Sequence, residues 1–359
     1  MKYDLFLESF RQFIRDCPEE PLDDSVRYVF LSDLHMGNGG SRDDLARNRS
    51  LIETMLEQWY LARDYLLVLN GDIEDLNKFS LASVREGWPR LLDIIDRFAR
   101  RGRLRKIVGN HDYDLLAVRD YPWKMYQGIV YRVGVNRLFV FHGHQASSLY
   151  VKFDFVSEFL VRYLVKPLHI RNSGVSRDSR RRFRTEKQIY RAARALGVAV
   201  IAGHTHRPLF ESLSKYDNIR LNLEEQLRLY IDAPQGEKER YEGPIRMYRD
   251  EMRKLSSASE KVKKTQSLYG ADPFLIPCIF NSGCATGRHG ITALEIQDGK
   301  ISLVYWTAMD GTHPYLASEA LDRETVQDSC CRYTIHRERL DGIFTRITFL
   351  GEASSPTPG

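Results

Sequence analysis

The chain has 359 residues, of which 43% are hydrophobic and 28% charged, and its formal net charge is +5. A chain of this length buries a substantial core, so it needs no disulfide framework. No apolar run approaches the roughly 18 residues that span a bilayer. The five cysteines contain no CxxC pair, and two of them are adjacent, which argues against an oxidised secreted protein. We therefore expect a cytoplasmic protein.

The positive charge is concentrated in one segment. Residues 171–194 contain nine cations and two acids, a net charge of +7, so the rest of the chain carries −2. This distribution excludes a generally basic nucleic-acid coat. The segment is either an anion-binding surface or a solvated helix face.

The apolar pattern changes its period along the chain. Residues 1–25 begin with amphipathic spacing, which predicts an N-terminal helix rather than a signal segment. Short apolar runs then alternate with helical patterns, as in layered α/β folds. The strands predicted in this part are 27–32, 65–69, 105–108, 128–133, 138–141 and 198–201. The strands predicted later, which would complete two stacked sheets, are 274–281, 290–297 and 300–307.

Two insertions interrupt the predicted domain, which spans residues 26–352. Residues 149–196 carry an apolar face at 153–164 and then the basic segment. Residues 215–264 are polar and charged, with a helical pattern in their second half. Both are expected to be largely helical additions to the scaffold, and residues 353–359 are expected to be a frayed tail.

Five short motifs each follow a predicted strand. They are Ser32-Asp33-Leu34-His35, Asn70-Gly71-Asp72, Gly109-Asn110-His111-Asp112, His142-Gly143-His144 and Gly203-His204-Thr205-His206. Alternation along a strand directs residues i and i+2 to one side, so Asp33 with His35 and His204 with His206 can reach one point. Imidazole, carboxylate and carboxamide donors without thiolate suit transition metals better than Mg²⁺ or Ca²⁺. Spacing does not choose between His142 and His144.

The five motifs in this order resemble the calcineurin-like metallophosphoesterase family, over about residues 28–208. The resemblance implies an α/β fold, a four-layer α/β/β/α sandwich of two mixed sheets with helical insertions. It also implies two divalent cations, manganese first, with iron, zinc, cobalt or nickel as alternatives. The implied ligands are Asp33, His35 and His206 for one cation, Asn110, His142 and His204 for the other, and Asp72 between them.

The resemblance further implies hydrolysis of a phosphoester by a hydroxide that the two cations activate. His111 follows Asn110 without being a ligand, so it is the candidate general acid. Asp75 matches the family position of the acid that orients this histidine, although a helix N-terminal carboxylate is the alternative. The residues expected to contact substrate are Asn110, His144, Arg207, Arg177, Arg180 and Arg181.

Several substrates fit these features. A small anionic phosphodiester or phosphomonoester is the first expectation. The placement of insertion 149–196 resembles the helical cap of UDP-2,3-diacylglucosamine hydrolases, pyrophosphatases of lipid A biosynthesis, which favours a lipid-linked substrate and peripheral membrane contact through residues 153–164. Those enzymes usually have Arg where His111 stands and Asp where His144 stands. A nuclease and a non-enzymatic binding scaffold are further alternatives. The oligomeric state stays open.

Overall fold

The computed structural model describes residues 2–146, 179–213, 215–257, 268, 274, 276–309, 320–326 and 329–351. The helices in these ranges are α1 (Lys2–Asp16), α2 (Arg49–Thr54), α3 (Leu81–Gly87), α4 (Pro89–Arg100), α5 (Ser179–Leu196), α6 (Lys215–Asp232), α7 (Glu239–Ser257) and α8 (Leu340–Leu350), and a π-helical segment, Met55–Leu61, follows α2. The strands are β1 (Glu19–Pro21), β2 (Tyr28–Leu31), β3 (Leu66–Asn70), β4 (Leu104–Ile107), β5 (Met125–Tyr126), β6 (Gly128–Val133), β7 (Asn136–Phe141), β8 (Ala199–Ala202), β9 (Ile279–Asn281), β10 (Ile291–Gln297), β11 (Lys300–Ala308), β12 (Asp322–Val326) and β13 (Cys330–Arg339).

Within the described ranges the strands form two mixed sheets. The large sheet has the order β12-β13-β11-β10-β2-β3-β4-β5, in which β2 to β5 are parallel neighbours. The small sheet has the order β1-β6-β7-β8-β9, in which β7, β8 and β9 are parallel. Parallel strands end on one edge of their sheet, so each sheet gathers its following loops at one place.

Strand β2 shows how the layers are arranged. Tyr28 and Phe30 belong to the core shared with the small sheet, whereas Val29 and Leu31 belong to the core shared with α2 and α4. Side chains alternate between the faces of a strand, so the large sheet separates these two cores. Its neighbour β3 divides its side chains in the same way.

Helices cover the outer face of each sheet. Helix α4 buries four apolar residues at helical spacing against the large sheet: Leu91, Ile94, Ile95 and Phe98. On the small sheet, the ring of Phe10 in α1 lies 5.7 Å from Phe139 and 5.3 Å from Phe141, measured between centroids. Helix α5 packs beside α1 on the same layer. The four-layer α/β/β/α sandwich expected from the sequence is therefore confirmed.

The two predicted insertions contain three of the helices. Helices α6 and α7 lie within residues 215–264 and pack against each other as a hairpin. Helix α5 is the described part of residues 149–196, whereas residues 153–164, Arg177 and the tail 353–359 lie outside the described residues. In the described ranges, no helix is both long and apolar enough to span a membrane.

Candidate metal centre

The candidate site lies where strand ends of the two sheets meet. Strands β2, β3 and β4 of the large sheet and strands β7 and β8 of the small sheet are each followed by one of the sequence motifs. The polar residues that these loops carry are Asp33, His35, Asp72, Asn110, His111, His142, His204 and His206. The structure therefore brings together every motif that the sequence singled out.

The backbone at these loops is strained rather than extended. Nine non-glycine residues of the described ranges have positive φ, and five of them are predicted ligands: Asp33 (54°), His35 (49°), Asp72 (53°), His204 (66°) and His206 (57°). Strand alternation does not place these residues, because β2 ends at Leu31 and β8 ends at Ala202. Asp33 and His35 still meet in one donor group, whereas His204 and His206 lie in different groups. Left-handed conformations cost of order 1–3 kcal/mol each and persist where the surroundings hold them.

One group of donors combines Asp33, His35 and His206. Their donor atoms lie within 4.8 Å of one another. His206 Nε2 is 3.1 Å from Asp33 Oδ1, and His35 Nε2 is 3.0 Å from His206 Nε2 and 3.8 Å from Asp33 Oδ1. Two imidazole nitrogens and a carboxylate oxygen this close together can share one cation.

The second group combines Asp72, His142 and His204, again within 4.8 Å. Asp72 Oδ2 lies 3.1 Å from His142 Nε2 and 3.9 Å from His35 Nε2 of the first group. The carboxylate of Asp72 therefore stands between the two groups, which is the place that a bridging ligand would occupy.

Several of the donor atoms fit a cation because no hydrogen bond satisfies them, whereas His35 Nε2 and His206 Nε2 lie at hydrogen-bond distance from each other. The buried atoms that make no hydrogen bond to any described residue include Asp33 Oδ1, Asn110 Oδ1, His142 Nε2 and His204 Nε2. An unsatisfied buried polar atom costs about 1–3 kcal/mol, so several at one point need a common partner. Carboxylate, amide and imidazole together match divalent transition metals.

In three of the ligand side chains, the nitrogen or oxygen atom that does not face the centre forms a hydrogen bond with the backbone. His142 Nδ1 lies 2.9 Å from the carbonyl oxygen of Asn70, which can only accept a hydrogen bond, so Nδ1 carries the donated hydrogen and the neutral ring has its lone pair at Nε2. The amide of His204 donates to Asp33 Oδ2 at 3.0 Å, and the amide of His111 donates to Asp72 Oδ1 at 2.8 Å. These three side chains, of His142, Asp33 and Asp72, therefore each present one fixed atom to the centre.

A glycine permits the close approach of two of these loops. A Cβ atom on Gly109 would lie 2.2 Å from Asp72 Oδ1 and 2.5 Å from the Asp72 backbone nitrogen. Backbone atoms cannot turn away as a flexible side chain can. The glycine of the Gly-Asn-His-Asp motif is thus required by the close packing of the loop after β4 against the loop after β3.

The surroundings shift the pKa values of the imidazoles in different directions. Burial lowers the pKa of His35 to about 4 and that of His204 to about 3, so both are neutral at neutral pH. Burial acts on His142 as well, but the carboxylates of Asp72 and Asp33 outweigh it and raise the pKa of His142 to about 9. Because only the unprotonated nitrogen binds a metal, cation binding should displace a proton from His142.

His111 and Asp75 form a pair beside the two donor groups, and with His35 their donor atoms make a third group within 4.8 Å. His111 Nδ1 lies 2.8 Å from Asp75 Oδ1, and Lys78 Nζ lies 2.8 Å from Asp75 Oδ2. Burial lowers the pKa of His111, but the hydrogen bond with Asp75 and the charge of Asp72 raise it overall. The nearest helix, α3, begins at Leu81, so the alternative of a helix N-terminal role for Asp75 was wrong. The contact of Asp75 with His111 is compatible with the predicted orienting role, which stays a prediction.

A family model, calcineurin-like phosphoesterase, matches residues 26–208, just over half of the chain and all five motifs. The chain belongs to this family. The family and the donor groups together support a metal-dependent phosphoester hydrolase.

Solved structures with similarity to this calcineurin-like phosphoesterase include three enzymes or predicted enzymes. YfcE, a phosphoesterase from E. coli, is 13% identical, with 77% of this chain and 91% of that chain covered and a TM-score of 0.32. A dimetal phosphatase from Danio rerio is 12% identical, with coverages of 78% and 96% and a TM-score of 0.34. A predicted phosphoesterase from Streptococcus pneumoniae is 14% identical, with coverages of 79% and 89% and a TM-score of 0.30. No curated protein matches the chain.

Two histidines follow β7, and the structure distinguishes them. His142 belongs to the second donor group, whereas His144 is buried in the short helical turn His144–Ala146, with its ring 5.5 Å from that of His142. Both histidines lie beyond the end of β7 at Phe141, so strand alternation does not place them. The geometry thus favours His142 as the ligand in this family member.

The arginines that were predicted to contact substrate differ in exposure and in their partners. Arg207 is partly exposed and forms an ion pair with the buried carboxylate of Glu186, with Nε donating to Oε1 at 3.1 Å. Arg181 is exposed on α5. Arg180 also belongs to α5, but its side chain, like Arg177, lies outside the described part. Arg207 therefore has a partner inside the protein, and its role toward substrate stays a prediction.

Some residues at the centre were not predicted from the sequence. Asn281, at the end of β9, donates from Nδ2 to the carbonyl of Gly203 at 2.8 Å. Cys284 lies beside His206, and although burial raises its pKa, hydrogen bonding with His206 lowers the pKa of this thiol overall. Asn281, Cys284 and Glu186 reach the site from distant segments that carry no motif.

Proposed function

We propose that this calcineurin-like phosphoesterase hydrolyses small anionic phosphodiesters or phosphomonoesters with two divalent cations, manganese first. The observation that carries the proposal is the pair of donor groups joined at Asp72, whose carboxylate lies 3.1 Å from His142 and 3.9 Å from His35. The ligands would be Asp33, His35 and His206 for one cation, Asn110, His142 and His204 for the other, and Asp72 for both.

When bound, two such cations hold phosphoryl oxygens and make a water molecule nucleophilic at neutral pH. The protein must also protonate the departing oxygen, and His111 is placed to do so. With Nδ1 hydrogen-bonded to Asp75, its other nitrogen, Nε2, is directed toward the centre and lies 4.0 Å from Asp72 Oδ2. A general acid in this position contributes most when the leaving group is a poor one.

The charge around the centre supports an anionic substrate. Helix α5 belongs to the segment of net charge +7 and packs against the turn His144–Ala146 that follows His142. Arg181 and Arg184 on this helix are exposed. A basic surface next to a cation site raises the local concentration of phosphorylated molecules, including lipid-linked ones, and speeds their association.

Hydrolysis of bis(p-nitrophenyl) phosphate and p-nitrophenyl phosphate tests the proposal. Activity should disappear after chelation and return with Mn²⁺, and Asp72→Asn should lower it by about 1,000-fold, or about 4 kcal/mol. Asp64→Asn is a matched control, because Asp64 also has positive φ (56°) but pairs with Arg103 on the surface.

Three results would contradict the proposal: turnover that survives chelation, turnover unchanged in Asp72→Asn, or equal losses in both variants. Raising the salt concentration separates small substrates from nucleic acid. A nuclease that follows the phosphate backbone loses affinity steeply as salt rises.

A further inference from the structure

Glu186 is an acidic residue buried within the basic segment. It lies on α5, its side chain is 1% exposed, and it faces the loop that carries His204 and His206. Glu186 Oε1 accepts a hydrogen bond from Thr205 Oγ1 at 2.8 Å and another from Arg207 Nε at 3.1 Å, and Oε2 pairs with Arg207 Nη2. The helix is thus attached to the loop at Thr205 and Arg207, on either side of His206.

Thr205 lies between one ligand of each predicted cation. His204 and His206 on either side have positive φ, 66° and 57°, so the loop does not hold this shape by local preference. The hydroxyl of Thr205 donates to Glu186 and accepts from Asn281 Nδ2 at 3.0 Å. Two buried side chains from different elements therefore fix the residue between the two histidines.

We propose that Glu186 is a positioning residue for both cation sites, acting through Thr205. This inference rests on the proposed function, since it takes His206 and His204 as ligands of two different cations. An apolar side chain would attach α5 to the small sheet at lower desolvation cost than a buried carboxylate. The carboxylate supplies what an apolar contact lacks, a directional acceptor for the Thr205 hydroxyl.

Cobalt binding to the metal-free protein tests this inference without using turnover. Glu186→Leu should weaken Co²⁺ binding at both sites by about tenfold or more and alter the visible absorption bands of the bound ion. Thr205→Val should act in the same direction, although it leaves the pair between Glu186 and Arg207 intact. Glu186→Gln, which still offers an oxygen to Thr205, should recover most of the affinity.

The matched control is Glu295→Gln, which breaks another buried carboxylate–arginine pair, with Arg332, away from the metal centre. It should lower the unfolding temperature and leave Co²⁺ affinity within about twofold. The inference is overturned if Glu186→Leu binds Co²⁺ like the unchanged protein. Where Glu186→Leu does not fold, unchanged affinity in Thr205→Val overturns it. If the unchanged protein binds fewer than two Co²⁺ ions, the metal centre itself fails, and the inference fails with it.

Discussion

Two buried polar clusters of this protein differ in how their atoms are satisfied. One is the metal centre. The other, the Glu295 cluster, consists of Tyr60, Glu295, Trp306 and Arg332 and lies on the outer face of the large sheet. At the metal centre buried donor atoms lack hydrogen bonds, and five ligands have strained backbone. None of the four residues of the Glu295 cluster has positive φ.

In the Glu295 cluster each polar side-chain atom has a partner. Tyr60 Oη donates to Glu295 Oε1 at 2.7 Å, and Arg332 Nε donates to the same oxygen at 3.0 Å. Trp306 Nε1 donates to Tyr60 Oη at 2.9 Å. The comparison shows that burial of charge has two uses here: a satisfied network supports the fold, and an unsatisfied one keeps atoms available for cations.

The largest effect on stability should come from the satisfied cluster. Glu295→Gln leaves Arg332 buried without its main counter-charge, so the free energy of unfolding should fall by about 3 kcal/mol, while kcat per folded molecule stays within about twofold. Urea unfolding and steady-state kinetics measure the two quantities. Glu324→Gln is the control, because Glu324 pairs with the same arginine but is 45% exposed, and it should cost under about 1 kcal/mol. A large loss of kcat in Glu295→Gln would remove the distinction between the clusters.

His111→Ala tests the other cluster, the metal centre. Turnover of an alkyl phosphoester should fall by about 100-fold, because the leaving oxygen then lacks a proton donor, whereas p-nitrophenyl esters should lose less than about tenfold. Stability should change little. His289→Ala, at an exposed position, is the control. Equal losses for both leaving groups would show that His111 is not the general acid.

Gly109→Ala probes the crowding at the metal centre. Its Cβ would lie 2.2 Å from Asp72 Oδ1, so the loops must move apart, at a cost of about 2 kcal/mol and weaker Mn²⁺ binding in competition with a chelator. Gly102→Ala is the control, since Gly102 has a φ of +69° and no atom of the described residues lies within 4 Å of the added carbon. It should cost stability only and leave Mn²⁺ affinity unchanged. Unchanged Mn²⁺ affinity in Gly109→Ala would contradict the tight fit.

The fold was predictable where strands are buried and continuous. Residues 65–69 and 290–297 were predicted as strands, and β3 and β10 occupy Leu66–Asn70 and Ile291–Gln297. Strand β12 was missed because its sequence, Asp-Arg-Glu-Thr-Val, is exposed on four of five positions at a sheet edge and lacks an apolar pattern. Its neighbour β13 was missed too, since charged residues interrupt its apolar alternation.

The candidate site was predictable where its residues lie in short sequence motifs. Asp72 and His142 each stand in a recognisable tripeptide directly after a strand, and strand ends gather at one edge. Glu186 had no such signal, because a single acid in a basic helix is read as a surface residue until the tertiary structure places it against Thr205. The positive φ of His204 likewise depends on tertiary contacts, so the local sequence does not predict it.

The smallest expected effect concerns an imidazole outside the metal centre. His336 on β13 stacks on Phe210, with ring centroids 5.5 Å apart, and burial lowers its pKa to about 4. An unfolded chain protonates this histidine near pH 6.5, so the unfolded state binds more protons between pH 6.5 and 4. Above about pH 6.5 the histidine is neutral in both states and does not change the free energy of unfolding. As the pH falls below that value, the unfolded state gains protons first and the free energy of unfolding decreases.

For metal-free protein, urea unfolding at pH 7.5 and pH 5 should show that His336 accounts for about 1–2 kcal/mol of the loss between them. His336→Gln should remove that part, and His289→Gln, at an exposed position, should not. An identical loss in the His336 variant would contradict the assignment. His142 is fully buried whereas His336 is partly buried, yet carboxylates raise the pKa of His142 to about 9. Burial alone therefore does not decide whether an imidazole here holds a proton; the carboxylates beside it do, and these are the groups that a cation would share.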